Sequence, residues 1–160
     1  MVRSIKIIIG TVSSLCSLGR RNHMNTKSVF SQCVYTILHS NQLNSMFRQG
    51  GSATLTEKKK WATAASLFLS ATQNNEIFYV VYAPAEAIWE LVYFAKIKSI
   101  KTTPEGATIY EIENLTPIPK PRPNKTMLIV SSTGKPMNEN FIRPYAICRT
   151  PEFLMKPLSL

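Results

Sequence analysis

The chain has 160 residues, nineteen basic and nine acidic, for a net charge of +10, with 44% hydrophobic and 18% charged residues. This balance belongs to a globular protein with a buried core, most simply one domain, and not to a disordered tail. All nine acids are glutamates, which excludes EF-hand loops, aspartic dyads and triads oriented by an aspartate.

In chain order, residues 1–27 come first, carrying Arg3, Lys6, Arg20, Arg21 and Lys27 and no acid. The apolar stretch from Ile7 to Gly19 is too short to span a bilayer, and Gly10, Thr11, Ser13 and Ser14 interrupt it. It imitates a secretory signal or an organellar presequence, with no A-x-A site after it. Residues 1–24 are therefore expected to be an extension outside the fold, with Met24 as a second possible start. Residues 25–154 are expected to form the domain and 155–160 a tail, and no membrane segment is expected. Cys16, Cys33 and Cys148 form no CxxC pair and are odd in number, which fits a reducing cytoplasm. Zinc would require Cys33, His39 and Cys148 to converge, so neither a metal nor another cofactor is expected.

The run from Val29 to Leu38 is rich in β-branched and aromatic residues and predicts a strand, and Asn41 to Arg48 predicts a short helix or turn ending at Gly50-Gly51. Thr54 followed three residues later by Glu57 matches a capping box, and Trp61, Ala64, Ala65, Phe68 and Leu69 recur at helical spacing. An amphipathic helix is thus expected from about Leu55 to Ala71, burying Trp61 and Phe68. Beyond it the period falls to two. Glu76 to Tyr82, Trp89 to Lys101 and Ala107 to Glu113 read as a meander, with the turn between the last two at Pro104-Glu105-Gly106. Eight of the ten prolines lie after Thr116. Pro117 to Pro123 reads as a fixed loop, followed by short strands at Met127 to Ser131 and Arg143 to Arg149. Together these elements predict an α+β fold, a small, partly open β-barrel with the amphipathic helix packed on it.

No catalytic motif stands out. Glu111 and Glu113 fall on one strand face at spacing two, as solvated sheet faces ordinarily do, Ser70 and Ser131 have no nucleophile elbow, and Gly134-Lys135 lacks the spacing of a phosphate loop. Two patterns point to binding. Gly50-Gly51 leads into the expected helix with Lys58, Lys59 and Lys60 near its first turn, where a phosphate would relieve the conflict between lysines and helix dipole; a solvated lysine run is the plainer reading. Phe78, Tyr79, Tyr82, Trp89, Tyr93, Phe94 and Tyr110 concentrate on three successive strands. One face of these strands packs on the helix, and the other either extends the core or offers a stacking platform for bases.

The helix placed before a meander, the phrase Leu91 to Ile97, the charged hairpin after it and Tyr110-Glu111-Ile112 together resemble the PUA/EVE-like class of small β-barrels over about residues 76–151. The resemblance implies a barrel that binds RNA or modified DNA bases in a pocket. The phrase from Asn140 to Pro151 reads as a motif of its own, with no activity attached. The functional expectation is a non-catalytic nucleic-acid-binding module, with a modified or flipped-out base among its ligands. In it Lys58, Lys59, Lys60, Arg143 and Arg149 neutralise phosphate, and Tyr82, Trp89 or Tyr145 stacks on the base. The alternative is a protein-interaction or assembly subunit that docks through Pro117 to Pro123, preset towards polyproline II.

Overall fold

A computed structural model describes residues 27–122 and 125–155, and the side chains of 120–122 are not described. The expected extension 1–24 lies outside these residues. The N-terminal half runs β1 (Ser28–Val29), β2 (Gln32–Leu38), α1 (Ser40–Arg48), β3 (Ala53–Glu57) and α2 (Ala62–Gln73). After it come β4 (Glu76–Ile77), β5 (Tyr79–Pro84), β6 (Leu91–Thr102) and β7 (Thr108–Arg122). A 3-10 turn (Lys125–Met127), β8 (Ile129–Val130), β9 (Lys135–Pro136), β10 (Tyr145–Arg149) and α3 (Glu152–Met155) complete it. Met155, expected in a tail, belongs to α3.

Eight strands form one sheet in the order β3-β7-β6-β5-β2-β10-β8-β9, and β1 and β4 form a separate parallel pair. The fold is therefore α+β and mostly β, with the expected meander in β5-β6-β7. β2 and β5 are parallel neighbours, so the chain between them must cross over, and it does so through α1, β3 and α2.

Strong bending gives the sheet an inside. Tyr93 pairs with Tyr82 on one side and with Pro117 on the other. Tyr110 lies seven residues before Pro117 on β7, about 23 Å of extended strand. Even so, the Tyr82 and Tyr110 hydroxyls are 3.0 Å apart, which a flat sheet would not allow. Three register shifts between β6 and β7, at Leu91/Tyr93, Phe94/Lys96 and Ile97/Ser99, supply the bend, because an extra residue on one strand kinks the ladder and increases its twist. The end strands β3 and β9 do not pair among the described residues, so the sheet coils without closing into a barrel. Across its interior lies Trp61, 1% exposed, its ring 4.9 Å from that of Tyr110 on β7 and stacked at 4.8 Å and 13° on Tyr145 of β10.

Both faces of the central strands are consequently covered. Val34, Val80, Tyr82, Ala95 and Ile97 face the inner core with Trp61 and the helices. Cys33, Tyr35, Val81 and Ala83 face a second core closed by Ile118, Leu128, Met137 and Leu154.

Two expected elements are corrected. The segment from Ala53 to Glu57 is strand β3, paired antiparallel with Thr108 to Ile112 of β7, and the helix begins only at Ala62. Leu55 is buried between exposed Thr54 and Thr56, a period-two pattern in which the apparent capping box is incidental. The Trp61 N–H donates to Thr108 Oγ1 (2.8 Å) and the Ala64 N–H to Tyr145 Oη (3.2 Å), so side chains of the sheet, and not a cap residue, accept these two donors at the start of α2. Phe68 is only partly buried, with its ring 6.4 Å from that of Phe78. The expected proline loop is the end of β7, which runs to Arg122. Proline at every second position removes amides from one edge of a strand only, and β3 covers β7 no further than Ile112.

Candidate nucleic-acid interface

The register places the carboxyl ends of β2 and β5, the start of β6, the end of β7 and the start of β10 together, through Leu38↔Pro84, Leu91↔Arg122 and Thr36↔Tyr145. Three connections meet there: the His39 link into α1, the 85–90 loop and the 138–144 loop. Among the described residues this rim holds Trp89, 52% exposed, Ile142, 74% exposed, and an exposed Arg143.

Local contacts hold the rim. Ser40 gives its backbone N–H (3.0 Å) and hydroxyl (2.8 Å) to Glu86 Oε1, and His39 Nδ1 is 3.4 Å from Glu86 Oε2. The donated Ser40 N–H, followed by its hydroxyl, holds the Glu86 carboxyl well below its ordinary value, at about 2. A carboxylate thus sits at the N-terminus of α1, where the helix dipole favours it. On the other side Thr36 Oγ1 donates to Pro144 O (2.5 Å). The Lys125 N–H donates to Trp89 O (2.9 Å), and Lys125 Nζ donates to Phe141 O. Lys125 is fully inaccessible, and burial lowers the pKa of its ammonium. Its Nζ stands 5.9 Å from the ring centroids of both Tyr35 and Phe141.

The residues expected to bind separate into three groups. Trp89 and Arg143 reach the rim. Lys58, Lys59 and Lys60 are exposed in the bend between β3 and α2, not on a helix turn, and Lys59 O accepts a bond from Thr108 Oγ1 (2.8 Å). Trp61 stacks on Tyr145, two residues from Arg143, which links this bend to the 138–144 loop. Arg149, at the far end of β10, instead lines a groove of about 590 Å³ with Met127, Ile129, Phe153 and Met155.

Tyr82 and Tyr145 are corrected as stacking residues. Tyr82 is 0% exposed and Tyr145 offers its ring to Trp61, so both belong to the inner core. Burial raises the pKa of both phenols. The Pro117 to Pro123 segment is not a separate loop: residues 117–122 are the end of β7, with Pro117 paired with Tyr93, Ile118 5% exposed and Pro117 and Pro119 exposed, and Pro123 lies outside the described residues. Nothing in the sequence singles out Lys125. A lone lysine beside a proline run carries no burial signal, since its partners Tyr35 and Phe141 are distant in sequence.

Cys33 and Cys148 face each other across the β2–β10 ladder, both free and buried, whereas His39 lies just beyond the far end of β2 and is exposed. These three residues do not converge, and among the described residues no three potential metal ligands gather. No described helix is long and apolar enough to cross a membrane. No protein-family model and no curated protein matches the sequence.

Proposed function

We propose that the chain is a non-catalytic, PUA-like nucleic-acid-binding module. It takes an unpaired base of single-stranded RNA or DNA, modified or flipped-out bases included, on Trp89, and the flanking phosphates on Arg143 and on Lys58, Lys59 and Lys60. The exposed indole carries this reading. Of the aromatics gathered in the meander region, Tyr82, Tyr93, Tyr110 and Phe78 are buried, whereas Trp89 is 52% exposed and its loop is anchored by the Lys125 N–H. An indole fixed through its backbone with an open face suits stacking, which is tolerant of sequence and favours bases freed from a duplex. The net charge of +10 adds attraction to any polyanion.

Titration with single-stranded oligonucleotides over a range of salt tests the assignment. Trp89→Ala costs about 1–3 kcal/mol of binding with little change in salt dependence, since a stacked base releases no counterions. Changing Lys58, Lys59 and Lys60 together to Gln flattens the slope of log K against log salt by up to about two units on single strands. Absence of binding to both RNA and DNA across the salt range overturns the reading.

A further inference from the structure

We propose that Lys125 is the positioning residue of the rim, an internal ammonium that ties the Trp89 loop to the Arg143 loop and so presents the two side chains as one surface. The inference rests on the nucleic-acid reading above. Its starting point is a lysine in an unusual place: the side chain is fully inaccessible, and the partners of its ammonium among the described residues are a carbonyl and two rings, not a carboxylate. Its surroundings are the rings of Tyr35 and Phe141, and these two rings meet edge-to-face at 6.1 Å. Taking an ammonium out of water is costly, and an apolar side chain of similar length would fill such a space without that cost.

What the ammonium supplies, and methionine cannot, is a donor. Lys125 joins two loops that have no described hydrogen bond to each other. Its backbone N–H holds Trp89 O at 2.9 Å, and its Nζ holds Phe141 O. The 138–144 loop is otherwise fixed near its ends, by Met137 N–H to Leu128 O (2.7 Å) and by Thr36 Oγ1 to Pro144 O (2.5 Å). Within it, Asn140 N–H to Asn138 Oδ1 (2.7 Å) and Phe141 N–H to Asn138 O (3.0 Å) are local and do not anchor it to the sheet. Among the described residues the mid-loop anchors are therefore the Lys125 Nζ bond and the Phe141 ring contact, immediately before exposed Ile142 and Arg143. Aromatic faces around the cation partly replace its lost water. A loop held in its binding geometry before the ligand arrives loses less entropy on binding.

Lys125→Met in the full chain separates this role from a merely structural one, because it keeps the volume, removes the desolvation cost and deletes the donor. Three properties are compared with the parent: melting temperature, amide exchange of residues 138–144, and affinity for a labelled mixed-sequence single strand of about 12 nucleotides, in DNA and RNA forms. The expected result is an unchanged or higher melting temperature, exchange in 138–144 faster by roughly tenfold, and affinity lower by roughly tenfold. The salt slope stays as in the parent, since a sealed ammonium touches no phosphate. Parent-like affinity in the variant overturns the proposal, as does parent-like exchange, and so does a fall in melting temperature with exchange raised throughout the sheet, which marks a structural role alone. A parent chain that binds neither strand overturns the nucleic-acid reading; the exchange comparison then still decides whether the tie exists.

Discussion

Three tyrosines with buried rings behave differently because their hydroxyls do. Tyr82 and Tyr110 share a hydrogen bond at 3.0 Å, so Tyr82→Phe strands a buried Tyr110 hydroxyl and is expected to cost about 1–3 kcal/mol. The Tyr35 hydroxyl has no partner among the described residues, so Tyr35→Phe is expected to be neutral or to stabilise by up to about 1 kcal/mol. Urea unfolding of the two single variants checks the contrast, and equal losses would refute it. Trp61, pressed between Tyr110 and Tyr145, is the most demanding position: Trp61→Ala is expected to cost about 3–5 kcal/mol. Glu86 sets the acid response of the rim. Its folded pKa, lowered from 4.5 to about 2 by the Ser40 bonds, means that its contribution is complete above the unfolded value and is lost as pH falls towards 2. Unfolding midpoints at pH 6 and pH 3 should therefore differ less in Glu86→Gln than in the parent.

At the scale of elements, the lesson of β3 is that spacing alone does not choose between periods. Thr54 and Glu57 fit a capping box, but Thr54, Leu55 and Thr56 also alternate, and pairing with β7 decides for the strand. The bend before β3 depends on Gly51, whose φ is +79° and where an added Cβ would lie 3.0 Å from the Leu115 backbone nitrogen. Gly50, at φ +110°, has open space around it. Gly51→Ala should accordingly destabilise by about 1–3 kcal/mol and by more than Gly50→Ala, as equilibrium unfolding can measure. The β2–β10 ladder makes its own prediction. Burial raises the pKa of both facing thiols, that of Cys148 to about 12, so neither Cys33 nor Cys148 should react with iodoacetamide until the chain unfolds. Peptide-level mass spectrometry distinguishes them from Cys16, and prompt labelling of either under native conditions would contradict the buried ladder.

For the whole molecule, the sequence by itself determined the class and much of the order of elements. Alternation in Trp89 to Lys101 and Ala107 to Glu113 is local, and these runs became the antiparallel strands β6 and β7, whereas the run from Glu76 to Tyr82 divides, Glu76–Ile77 pairing with β1 as β4 and the rest entering β5. The same holds for β2, for the end of α2 and for the exposure of the lysine run. Within the candidate site, residue type points to Trp89 and Arg143, but it points equally to Tyr82 and Tyr145, because an aromatic on a strand has the same pattern whether its face meets solvent or core. Only the tertiary structure decided between them. The bulged β6–β7 pair coils the sheet until Tyr110 meets Tyr82, and Trp61 closes over Tyr145, contacts between residues too far apart in the chain for any local period to encode. Lys125 follows the same rule: burial is a property of what folds over a side chain, and Tyr35, Phe141 and the Trp89 loop come to it from three distant parts of the sequence.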